Sequence, residues 1–239
     1  MQHSNKYIFI YSIVLVVIIA VALTVVAVML KPAQENNIRI EKMQNILSSV
    51  NVPVTEIPKK QVVDEYKKYI KTAIGINNKG DVVEQDADKV FALEMSNELK
   101  KPVEKQILPV FIANLANGDT AYVVPLRGKG LWGPVWGYIS FKNDFNTVFG
   151  TVFDHKGETP GLGAELNQSW FMEPFKGKQI FDEKGLLVSI SIIKGGAKPE
   201  DTHGVDAISG GTITSKGVEK MLRDNLTNYE AYFKKQAKK

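Results

Sequence analysis

The strongest constraint on this chain is a run of 24 residues, Tyr7 to Leu30, that is apolar apart from Tyr7, Tyr11, Ser12 and Thr24. At ~1.5 Å per residue such a run measures about 36 Å as a helix, against ~30 Å for the hydrocarbon core of a bilayer. Lys6 and Lys31 bracket it, and Tyr7 and Tyr11 stand where interfacial aromatic rings are expected. A cleaved leader is the competing reading. Leaders have shorter apolar cores and end at small residues, and Val26-Ala27-Val28-Met29-Leu30-Lys31-Pro32 offers a poor cleavage site. The reading is a retained transmembrane helix over residues 7–30 behind a short tail, 1–6. Charge does not orient it. Lys6 precedes the run, whereas Lys31, Arg39 and Lys42 follow it among Glu35 and Glu41, so the positive-inside count leans toward a cytoplasmic domain.

About 200 residues remain, enough for one domain. Residues 31–100 read as a helical lead-in and the start of that domain, and 101–239 as its body. From Ala33 to Val50, Ile38, Met43, Ile46 and Leu47 recur at helical spacing opposite Arg39, Glu41 and Lys42, and Pro53 closes the segment. A second helix is expected from Val62 to Ala73 and a strand near Gly80 to Val83, while Val90–Leu99 fits helix or strand. Four strands rich in β-branched and aromatic residues are expected at 121–126, 135–141, 147–154 and 185–193. From Ser215, whose hydroxyl suits an N-cap, to Lys235 a helix is expected, with Val218, Met221, Leu222, Leu226, Tyr229 and Phe233 on one stripe. Strands in a run with helices at the edges define an α+β class, a mixed sheet with flanking helices.

Composition narrows the chemistry. There is no cysteine, so this chain alone holds no disulfide, thiolate metal site or iron–sulfur cluster. A net charge of +4 without basic clusters gives no reason to expect a nucleic-acid partner. His3, His155 and His203 lack ligand spacing, so no metal site is expected.

Three glycine-rich stretches look chemical. Gly128-Lys129-Gly130-Leu131-Trp132-Gly133-Pro134-Val135-Trp136-Gly137 combines backbone freedom with flat indole surfaces; it suits either ring stacking or a bulged hairpin with a core tryptophan. His155 to Glu165 contains Glu158-Thr159-Pro160-Gly161-Leu162-Gly163, with more glycine than a simple turn needs. Asp206-Ala207-Ile208-Ser209-Gly210-Gly211-Thr212-Ile213-Thr214-Ser215 sets four hydroxyls and a pair of glycines before the last helix, a position suited to an anion. It is not a nucleotide-hydrolysing loop, because G-x-x-x-x-G-K-[ST] is absent.

Together these stretches resemble the FMN-binding domain family. Asp206 to Thr212 is similar to its flavinylation motif and Glu158 to Gly163 to its E-T-P-G-L-G loop. Gly128 to Trp132, with the N-terminal helix and long lead-in, resembles the NqrC component of the sodium-translocating NADH:quinone oxidoreductases (Nqr). Gly211 stands where the family commonly has alanine. The resemblance implies FMN joined to Thr212 through a phosphoester, flanked by Ser209, Gly210, Gly211, Ile213 and Thr214. It further implies Glu158, Thr159, Gly161 and Leu162 about the ring, Trp136 stacked on it, and Lys194 bringing a positive charge near. It implies a flavin transferase using FAD for maturation, and partnership with the other subunits of a six-subunit, membrane-embedded complex. The role implied is that of a one-electron carrier in sodium-exporting NADH:ubiquinone reduction, in a bacterial inner membrane with the domain periplasmic. No residue is assigned a catalytic role, and no G-x-G-x-x-G after a strand offers a site for NADH. The alternatives are a carrier like the RnfG component of the Rnf complex, a stand-alone tethered flavoprotein, and an adaptor without cofactor.

Overall fold

The computed structural model describes residues 4–237. The tail expected at 1–6, with His3, lies in part outside the described residues. The chain divides into two compact units, 1–42 and 43–239.

Helix α1 (Asn5–Ser49) begins in the first unit. The two helical stretches expected on either side of Pro32 are one uninterrupted helix, with Pro32 inside it. The side chains of the apolar run are exposed. Among the described residues this is the one helix long and apolar enough to cross a membrane. An all-round apolar helix with no protein over it is suited to lipid, where every backbone group must be satisfied within the helix.

In the second unit, α2 (Val62–Tyr69) leads into β1 (Ile70–Ile76). The helix expected to reach Ala73 stops earlier because Ile70, Thr72, Ile74 and Ile76 alternate with other residues, a strand pattern. Next come β2 (Val82–Glu84), α3 (Ala87–Ala92) and α4 (Met95–Glu98). Asp86 caps α3 by accepting from the Asp88 and Lys89 amides at 3.0 and 3.2 Å, which resolves the ambiguous segment as helical. Then β3 (Leu108–Asn114), β4 (Thr120–Lys129), β5 (Pro134–Phe141) and β6 (Val148–His155) complete an antiparallel sheet of order β2-β1-β3-β4-β5-β6. After α5 (Ser169–Met172), β7 (Ser191–Ile193) and β8 (Gly204–Asp206) form a separate parallel pair. Both strand senses are therefore present, but in different sheets. Of the strand expected at 185–193, only the end forms. Gly185 (φ 72°) closes a turn whose Lys184 and Leu186 amides are held by Asp182, and Ser189 (φ 62°) breaks the extended run.

Helix α6 (Thr212–Gln236) covers one face of the large sheet. Its stripe of Val218, Met221, Leu222, Leu226, Tyr229 and Phe233 is buried against Val124, Leu126, Val135, Ile139, Phe141 and Phe153. Two polar contacts fix its register. The Asn225 amide donates to the Arg127 carbonyl (2.9 Å) and accepts from the Arg127 N–H (3.3 Å), and the Tyr229 hydroxyl donates to the Pro109 carbonyl (3.1 Å). The opposite face meets the last turns of α1, where the Ser140 hydroxyl donates to the Ser49 carbonyl at 2.5 Å. The expected cap at Ser215 is displaced: α6 starts earlier, at Thr212, with Gly211 as N-cap. Ser215 is buried inside the first turns, where its hydroxyl accepts from the Ile208 amide at 3.1 Å.

Candidate functional site

Three segments converge at the start of α6. The first is the tip of the β4–β5 hairpin, closed by the Gly130 amide donating to the Gly133 carbonyl at 2.8 Å. The second is the loop after β6, where the Leu162 and Ala164 amides both donate to the Thr159 carbonyl at 3.1 Å. The third is the turn Ile208–Gly211, closed by the Gly211 amide on the Ile208 carbonyl, with Gly210 at φ 72°. Between them lies a hollow of about 240 Å³ lined by Leu131, Glu158, Thr159, Leu162, Gly163, Gly210, Gly211, Thr212, Ile213 and Thr214.

Glu158 ties the segments together. Only 4% exposed, it accepts the Trp132 amide at 2.9 Å on one oxygen and the Thr214 hydroxyl at 2.5 Å on the other. Its own amide donates to His155 Nδ1 at 3.1 Å. Burial alone would raise its carboxyl. The Thr214 hydroxyl and the N–H groups of Trp132, Leu131 and Gly133 outweigh that and hold it below the ordinary glutamate range, so it is ionised at neutral pH. Close approach here demands glycine. A Cβ on Gly130 would stand 2.5 Å from one Glu158 oxygen, and one on Gly163 2.6 Å from the other.

The four hydroxyls of the 206–215 block separate cleanly. Thr214 and Ser215 are buried and engaged within the protein. Thr212 and Ser209 are exposed, and of these Thr212 lines the hollow. Thr212 is the first residue of a 25-residue helix with no side-chain cap, so the first N–H groups of α6 lack intrahelical partners. That end of the helix is positive. Around it stand apolar side chains open to solvent: Ile213 (60% exposed), Leu131, Leu162 and, beside Leu131, Trp132 (70% exposed). A hydroxyl at a positive helix end with an apolar rim fits a phosphate carrying a flat ring.

Of the expected site residues, Glu158, Thr159, Leu162, Gly210, Gly211, Thr212, Ile213 and Thr214 share this wall. Gly161 and Ser209 belong to the same loops but do not line the hollow. Trp136 and Lys194 are not brought to it. Along β5, Val135, Ile139 and Phe141 enter the core under α6, so the intervening Trp136 faces the other side of the sheet. There the Arg127 guanidinium lies 5.8 Å from its ring. Lys194 is exposed after β7, at the head of a loop fastened by the Ala197 amide on Asp206 Oδ1 at 2.7 Å. Leu131 and Gly163 were missed as site residues; both lie within the stretches that carry the resemblance. Among the described residues no group of three or more His, Asp or Glu could hold a metal ion.

The FMN-binding domain model matches residues 130–227, which span all three segments of the hollow. The fold and the site thus define an FMN-binding domain. The NqrC component of the Na(+)-translocating NADH-quinone reductase of Pseudomonas aeruginosa is 30% identical over 240 residues, covering 92% of this chain and 91% of that one. Its counterpart in Haemophilus ducreyi is 33% identical over 210 residues, covering 82% and 80%. The crystal structure of the counterpart from Parabacteroides distasonis superimposes with a TM-score of 0.76 at 41% identity, over 85% of this chain and 96% of that one. This chain belongs to the NqrC family of Na(+)-translocating NADH-quinone reductase subunits.

Proposed function

We propose that this chain is a flavin-carrying subunit of a Na(+)-translocating NADH-quinone reductase, with FMN joined to Thr212 and single electrons passing through it between neighbouring redox centres. The observation that carries this reading is the placement of Thr212. It is the one hydroxyl of the block that is both exposed and on the wall of the hollow.

Thr212 Oγ1 would hold the FMN phosphate as a phosphodiester, with a transferase taking FMN from FAD and releasing AMP. FMN, when bound, supplies reversible one-electron chemistry. The chain's own residues do the rest. The first N–H groups of α6, which have no partner within the helix, would meet the phosphodiester charge at the positive helix end. Leu131, Leu162 and Ile213 offer apolar surface to the ring and keep water from its inner side. Trp132, next in sequence to the wall residue Leu131 and exposed, would take the place of Trp136 as the aromatic residue for stacking.

A hollow of about 240 Å³ is smaller than the ~300–1,000 Å³ that encloses most small ligands. Part of the flavin therefore stays outside it, which suits a carrier that must approach partner subunits. Partners are the remaining subunits of a six-subunit complex and, for maturation, a flavin transferase. The long apolar helix anchors the chain in the inner membrane, with the domain on the periplasmic side.

Intact mass spectrometry of the purified chain tests the reading. Expression with the transferase should add the mass of FMN less water, and an unmodified chain from such cells would sink it. Protease protection on spheroplasts tests the side of the membrane: a domain resistant to added protease reverses the orientation.

A further inference from the structure

Glu158 is a buried carboxylate on a wall otherwise made of apolar, glycine and threonine residues. A buried charge is tolerated only when its oxygens are met by donors. One oxygen takes the Trp132 amide, with the Leu131 and Gly133 amides adding to the same field; the other takes the Thr214 hydroxyl. Backbone at Gly130 and Gly163 closes around the group so tightly that a single added methyl at either position would collide with it.

The three segments so joined are those that wall the hollow. Leu131 is on the wall, Trp132 is next to it, Thr214 lies one helical step from Ile213, and Glu158 opens the loop that carries Leu162. The tip is otherwise held by the Gly130–Gly133 bond, the Lys156 amide on the Pro134 carbonyl and the close approach of Gly217 to Lys129 and Gly130. Trp132 itself is 70% exposed, so packing does little to fix it.

We infer that Glu158 is a positioning residue: its carboxylate clamps the hairpin tip carrying Leu131 and Trp132 to the first turn of α6 and so sets the apolar rim over the cofactor site. The role of that rim rests on the flavin reading, but the clamp itself is testable without flavin. In a carboxylate, both oxygens accept. In Glu158→Gln the charge is lost: the NH₂ can only donate, so toward Thr214 the hydroxyl must turn to accept, and the tip amides are left on a neutral carbonyl, a weaker acceptor than the carboxylate.

The experiment is amide hydrogen exchange on the full-length, detergent-solubilised chain, wild type against Glu158→Gln and Glu158→Asp. The aspartate keeps the charge but is too short to span tip and helix. Both variants should speed exchange at Leu131, Trp132 and Gly133 by about tenfold or more, the loss expected for a hydrogen bond to a charged group, with β3 and the middle of α6 unchanged. Unchanged exchange at the tip overturns the clamp, and so does uniform acceleration through the whole domain. If Glu158→Gln fails to fold, Thr214→Val removes one donor at constant shape and should loosen the same three amides severalfold; no change there overturns the clamp as well.

In flavin-loaded protein the emission of the flavin supplies a second signature. A tip freed from Glu158 quenches it less, so the yield should rise in Glu158→Gln while the added mass persists. An unmodified wild-type mass would sink the flavin reading and leave the exchange result standing.

Discussion

The two longest helices of the molecule obey different rules. In α1 the apolar run is exposed along its length, so overall hydrophobicity matters there more than which residue takes which face. In α6 one stripe is buried, and Asn225 and Tyr229 lock the helix to β4 and β3 residue by residue. A helix specified by overall hydrophobicity can serve as an anchor. Only a helix held at fixed register can present one chosen hydroxyl at its first residue. The site is accordingly on α6.

Substitutions can break this contrast, and the largest effect is expected at the head of α6. Thr212→Ala should abolish covalent flavin altogether, read as loss of the added mass and of flavin fluorescence in a denaturing gel. Retained fluorescence would move attachment to Ser209, the other exposed hydroxyl. Next is the span itself. Val16→Arg should lower membrane insertion by about 2.5–3.5 kcal/mol, whereas Val16→Leu should leave it within about 0.5 kcal/mol. A large effect of the leucine variant in a glycosylation-mapping insertion assay would mean that α1 is specified residue by residue after all.

Asn225→Ala strips partners from the Arg127 N–H and C=O and should cost about 2 kcal/mol, seen as a lower urea midpoint with an unchanged slope. Tyr229→Phe removes only the bond to Pro109 and should cost about 1 kcal/mol in the same titration. The smallest effect is local and pH-driven. Because the folded Glu158 carboxyl lies below its unfolded value, its contribution is fully present above the ordinary glutamate range and fades as the pH falls through that range to the lowered folded value. Protection of the Leu131–Gly133 amides should decline in that window before the rest of the sheet responds. A tip that loosens only with global unfolding would deny Glu158 its separate role.

What could be read from the sequence divides along the same line. The span, the stripe on α6 and strands β4 to β6 follow from periodicity and composition, which are local. Trp136 shows where local reading stops. That it lies in a strand is legible, but which face it takes depends on which face of β5 the last helix covers: Val135, Ile139 and Phe141 go under α6, and Trp136, opposite Arg127, takes the other side. The start of α6 is similar. Ser215 has the chemistry of a cap, yet Thr212 to Thr214 belong to the helix: Gly211 leaves room for Ile208, whose Cγ2 would lie 2.8 Å from an added Cβ, and Glu158, distant in sequence, takes the Thr214 hydroxyl. Glu158 itself was legible as a motif residue but not as a clamp, since its partners at Trp132 and Thr214 are 26 and 56 positions away.

Those separations carry a kinetic consequence. The contacts that assemble the site join residues 56, 98 and 120 positions apart: Glu158 with Thr214, Arg127 with Asn225, and Pro109 with Tyr229. Closing such loops costs entropy before any contact rewards it, so topologies built this way fold slowly. The hollow has no local nucleus and arises only when sheet and helix dock. A transferase that recognises the finished pocket would therefore modify docked chains and pass over those still searching for their fold, making the flavin a mark of completed folding.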